Sequence, residues 1–74
     1  MKAILEFNLP DDQDDFQDAV NGQKWKLMVW EFDQDLRSKI KYAPDSISED
    51  TYKAYEEIRQ KLYDLMIEDG LKLD

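Results

Sequence analysis

The sequence predicts a single α+β domain that is mostly α. An N-terminal strand leads into a short helix and then a long two-helix hairpin, and a short C-terminal strand is placed to pair with the first. Three observations predict this. Ala3, Leu5 and Phe7 alternate with Ile4 and Glu6, the two-residue period of a strand. Apolar residues then recur at steps of three and four, the period of a helix. Only two Gly and two Pro interrupt 74 residues, which favours long regular elements over loops.

Taken in order, Lys2–Asn8 reads as the strand, ended by Asn8-Leu9-Pro10. Pro10 suits a helix entry, where a missing N–H costs nothing. Residues 11–21 read as the first helix, its early acids complementing the positive helix N-terminus, with Gly22 as a left-handed cap. Residues 24–42 read as the second, with Trp25, Val29, Phe32, Leu36 and Ile40 on one stripe and Met28 beside it. Pro44 stops it, because the residue before proline is pushed out of the helical region. Ser48 is placed as N-cap of the third helix, which runs to about Asp69 with Gly70 after it. Tyr55, Ile58, Leu62 and Leu65 carry its apolar stripe, too short for a long coiled coil and suited to a hairpin. Leu71-Lys72-Leu73-Asp74 alternates again and predicts the closing strand, paired with Lys2–Asn8 or leaving that strand to another copy. A packed chain of this length has an expected radius of gyration of about 11 Å.

Composition excludes several functions. Eighteen acids against ten bases give a net charge of −8, which argues against direct binding of nucleic acid or an anionic membrane. No apolar run approaches the ~20 residues needed to span a bilayer. The first residues lack the apolar stretch and cleavage site of a signal peptide, so the expected location is cytoplasmic. Without His or Cys, the commonest general base, nucleophile pair and metal ligands are missing, and no catalytic residue, metal site or cofactor is predicted. The run Asp11-Asp12-Gln13-Asp14-Asp15 lacks the glycine turn and closing Glu of a calcium loop.

The charge is unevenly placed. Residues 1–21 carry −5, residues 22–43 carry +2 and residues 44–74 carry −5. On helical projection Asp11, Asp14, Asp15 and Asp18 share one arc, and Glu49, Asp50, Glu56, Glu57, Asp64 and Glu68 share another. Such rows imitate nucleic-acid phosphates or, more ordinarily, form a solvated face. Glu49–Lys53 and Glu57–Lys61 are spaced to neutralise part of the second row. Trp30 projects away from the apolar stripe, among Lys26, Asp33, Arg37 and Lys41. An aromatic among cations is a contact surface in waiting, because Trp and Arg dominate binding hot spots. Lys26, Trp30, Arg37 and Lys41 are therefore the candidate partner-binding residues. The competing reading packs Trp30 under the strand, with the cations snorkelling around it.

The stretch Glu6-Phe7-Asn8-Leu9-Pro10, then Phe16, Ala19-Val20-Asn21-Gly22, Trp30-Glu31-Phe32-Asp33 and Leu36-Arg37-Ser38-Lys39-Ile40-Lys41-Tyr42, resembles a group of small tailed-bacteriophage proteins. The resemblance covers most of the chain. It implies an accessory or host-takeover product acting in the bacterial cytoplasm and carries no activity with it. The expectation is a small acidic, non-catalytic protein, monomer or homodimer, that binds a host or phage protein. Inhibition of a nucleic-acid enzyme or of a defence system is one form of that role. The alternative is a nucleic-acid-binding or replication accessory protein using the basic, Trp-bearing stripe.

Overall fold

A computed structural model describes residues 1–73. Two helices make up its regular structure: α1, Gln13–Lys41, and α2, Glu49–Glu68. They pack side by side as a hairpin joined by residues 42–48. No strand occurs among the described residues, so the expected α+β class is corrected to a helical hairpin. Lys2–Asn8 has no paired neighbour. The tail expected to pair with it, Leu71–Leu73, borders instead a hollow that Trp25 and Val29 of α1 also line, and its last residue, Asp74, falls outside the described residues. Alternation marks a strand only where a second strand takes up its hydrogen bonds. Phe7 turns back on α1, edge-on to Phe16 with ring centres 5.7 Å apart. Among the described residues no helix is long and apolar enough to cross a membrane.

The predicted break at Gly22 is also corrected: α1 runs unbroken through it for 29 residues. Asp12 begins the helix. Its carboxylate accepts from the Asn8 N–H at 2.9 Å, and its own N–H donates to the Asn8 carbonyl at 2.7 Å. Asp14 and Asp15 follow in the first turn, and Lys39 and Lys41 occupy the last, both favourable to the helix dipole. A Gly ends a helix when the chain beyond cannot continue it. Here Gln23-Lys24-Trp25-Lys26-Leu27-Met28 continues it readily, and one interior Gly costs only about 1 kcal/mol. A Cβ at Gly22 meets nothing within 4 Å. Gly22→Ala is thus expected to stabilise the chain by about 1 kcal/mol, raising Tm by roughly 4–8 °C. A lower Tm by calorimetry would show a break at this point.

The ends of α2 follow the local sequence. The Thr51 N–H donates to Ser48 Oγ at 3.1 Å, the expected N-cap. At the other end Gly70 adopts φ +66°, the left-handed region glycine enters freely. The Leu71 N–H donates to the Met66 carbonyl at 2.8 Å and the Gly70 N–H to the Ile67 carbonyl at 3.2 Å, the paired bonds of a Schellman cap.

Leu36 and Asp33 alone are buried among the described residues, each 4% exposed. Around them Val29 and Ile40 of α1 and Tyr52, Tyr55, Leu62 and Met66 of α2 are half-buried. Phe32 and Trp25, expected in this core, are 50% and 60% exposed. The molecule is a rod of 56 × 27 × 18 Å with a radius of gyration of 17.7 Å, well above the compact expectation. α2 covers only one edge of the apolar stripe on α1.

Candidate protein-binding surface

The hairpin has two unlike sides, and the side bearing Trp30 is built around one ion pair. Asp33 follows Val29 by four residues and precedes Leu36 by three, so its carboxylate projects straight at α2. Arg59 sits at the matching place between Tyr55 and Leu62. Its Nε–H donates to Asp33 Oδ1 at 2.9 Å, and its Nη2–H donates to the Tyr63 hydroxyl at 2.7 Å. The guanidinium also lies over the Tyr63 ring, 5.2 Å from its centre. The Arg59 hydrogen bond holds the Asp33 carboxyl below its ordinary value of 3.8, against the burial that pushes it up. The same bond raises Arg59, and burial raises the Tyr63 phenol. The cluster thus stays charged and hydrogen-bonded, and it fixes the two helices in register.

Beside this pair lies a hollow of about 510 Å³. It is lined by Trp30 and Arg37 of α1, Arg59 and Tyr63 of α2, and Leu71 and Lys72 of the tail. Trp30 is 45% exposed, so it neither enters the core nor packs under a strand. The surface therefore offers one large aromatic, a phenol and the two cations Arg37 and Lys72 around a closed ion pair.

Of the four residues expected to bind a partner, Trp30 and Arg37 come together here. Lys26 faces the adjoining hollow with Trp25 and the tail. Lys41 folds over the Tyr42 ring, 5.4 Å from its centre, at the end of α1. Arg59 and Tyr63 were not in that set. Their signal was nevertheless present: a base in the apolar stripe of one helix and an acid in that of the other, with a Tyr one turn beyond.

The acidic residues are dispersed. Asp14, Asp15 and Asp18 lie in the first two turns of α1 and Asp11, expected with them on the helix, lies in the turn before it, whereas Glu49 and Asp50 open α2 at the loop end. At ~1.5 Å per residue, Asp14 lies about 40 Å along α1 from the loop end. The two rows therefore do not merge into one ladder. Glu56, Glu57, Asp64 and Glu68 lie along the solvent side of α2, where Asp64 accepts from Gln60 at 3.0 Å. Glu49–Lys53 closes at 3.5 Å, as its spacing predicts, while Glu57–Lys61 forms no ion pair among the described residues. No group of three acids gathers there as a cation site.

No protein-family model, curated protein or solved structure matches the chain.

Proposed function

We propose that this chain is a small, acidic, non-catalytic accessory protein of a tailed bacteriophage, and that it binds one host or phage protein through the Trp30 side of the hairpin. The observation that carries the reading is Trp30 itself. A half-exposed Trp lines one hollow with Arg37, Arg59 and Tyr63, and the Asp33–Arg59–Tyr63 hydrogen bonds set that part of the surface before a partner arrives. Trp, Tyr and Arg are the residues that most often anchor protein interfaces, and preorganisation lowers the cost of binding.

The partner's chemistry follows from the charge. A net charge of −8 steers the chain toward a basic protein, and the aromatic–cationic hollow takes an aromatic or acidic side chain from it at close range. A nucleic-acid enzyme or a component of a defence system has such a basic surface, and occupying it would inhibit it.

The test is capture from bacterial lysate on the immobilised wild-type chain, run in parallel with Trp30→Ala and Arg37→Glu. One protein is expected on the wild type, weakened by roughly 30-fold or more in Trp30→Ala and released as salt is raised. Capture that ignores both substitutions would reject this surface. Titration of the Trp fluorescence with single-stranded DNA is expected to show no saturable change. Saturable quenching lost in Arg37→Glu would replace the reading by nucleic-acid binding through the same hollow.

A further inference from the structure

The opposite side of the hairpin is apolar, and nothing in the function proposed above uses it. At about 100° per residue, Trp25, Met28 and Phe32 fall within roughly 60° of arc, beside Leu36 on the edge away from Asp33. On α2, Ile58 and Leu65 fall beside Leu62 on the edge away from Arg59 and Tyr63. Because Asp33 and Arg59 touch, they mark one side of both helices, and these five residues share the other. All five are about half exposed or more.

The area left open is that of a missing layer. The chain exposes 6719 Å². A compact monomer of its 8.9 kDa exposes about 4,800 Å², so the excess is about 1,900 Å². Permanent homodimers bury roughly 2,000–5,000 Å² in total, which asks at least about 1,000 Å² of each copy. That excess is spread along the whole rod, and this face, with its five apolar residues about half exposed or more, carries part of it.

The charge along α1 is self-complementary. On the face of the patch, Asp14 and Asp18 lie in its first two turns and Lys39, bridged to Asp35 at 3.7 Å, in its last, with the patch centred on Met28 near the middle. Two α1 helices crossing antiparallel at Met28 place Trp25 of one copy against Phe32 of the other. They also set Asp18 opposite Lys39. A parallel pairing would put acid on acid.

We infer that the Trp25–Met28–Phe32 face, extended by Ile58 and Leu65, docks a second copy of this chain, giving an antiparallel four-helix dimer with the Trp30 side outward on each copy. The inference stands on a different face from the proposed function, so either can fail alone.

The test is the solution mass of the full chain, measured by sedimentation at micromolar concentration. Twice the 8.9 kDa of one chain is expected. Phe32→Glu is expected to weaken the dimer by roughly 100-fold or more while keeping its helical circular dichroism, and Trp30→Glu to leave the mass doubled. Met28→Cys adds the sole cysteine and is expected to cross-link the copies on oxidation. A wild-type mass of one chain overturns the inference. So does a dimer that survives Phe32→Glu, or one in which Met28→Cys fails to cross-link. A single-chain wild type that holds some other protein on this face, released by Phe32→Glu, overturns it equally.

Discussion

Arg59→Ala is expected to cost about 3–5 kcal/mol and to leave much of the chain unfolded at 37 °C. The loss comes from the group left behind. Asp33 is 4% exposed, and without Arg59 its carboxylate is buried without a counter-ion. A domain of this length has roughly 4–11 kcal/mol of stability in all, and one with two buried residues among those described sits low in that range. Asp33→Leu combined with Arg59→Met removes both charges and is expected to recover most of the loss, because an apolar pair of similar size is often neutral or better. Equal destabilisation of the single and double variants in urea would show that the pair is not what registers the helices. The pH dependence has a definite sign. The Asp33 carboxyl titrates below its ordinary 3.8 in the folded chain. Its stabilisation is therefore complete above that value and is lost as pH falls through the lower, folded value. Arg59→Ala should flatten this acid limb of the stability curve.

Leu36→Ala is the second large effect, about 2–5 kcal/mol from lost burial and the cavity left. Leu36 is the sole buried apolar side chain among the described residues, so no neighbouring core compensates. Phe32→Ala, in dilute protein, is expected to cost about 1 kcal/mol, since its side chain is half exposed there. Thermal melts of the two variants separate the observed face from the one the stripe predicts. Equal losses would put Phe32 back in the hairpin core.

These contrasts mark what the sequence made legible. The ends of α2 and the stop at Pro44 were readable, because Ser48, Gly70 and Pro44 act through their own backbone chemistry within a few residues. Val29, Leu36, Ile40, Tyr55 and Leu62 were readable as a facing set, because period alone places them. Trp25 and Phe32 share that period, yet one neighbouring helix cannot cover a stripe so wide. The count of layers is a tertiary fact that periodicity does not carry. The strand failed for a related reason: alternation in Ala3–Phe7 says nothing of a partner strand. Gly22 failed because residues on both sides favour helix and outweigh one poor former. In the site, projection was enough to set Trp30 and Arg37 apart from the core. It was not enough for Asp33, which projects among the cations around Trp30, or for Arg59: their pairing shows only when the two helices are laid together.

The claim that Trp30 is held out for a partner is tested most directly by Trp30→Ala, measured in the free chain and in the capture experiment together. The account expects the melting midpoint to change by the equivalent of about 1 kcal/mol or less, with the captured protein lost. Collapse of the free variant, by the roughly 3–5 kcal/mol of a buried Trp, would contradict it and return Trp30, Lys26, Arg37 and Lys41 to purely structural roles.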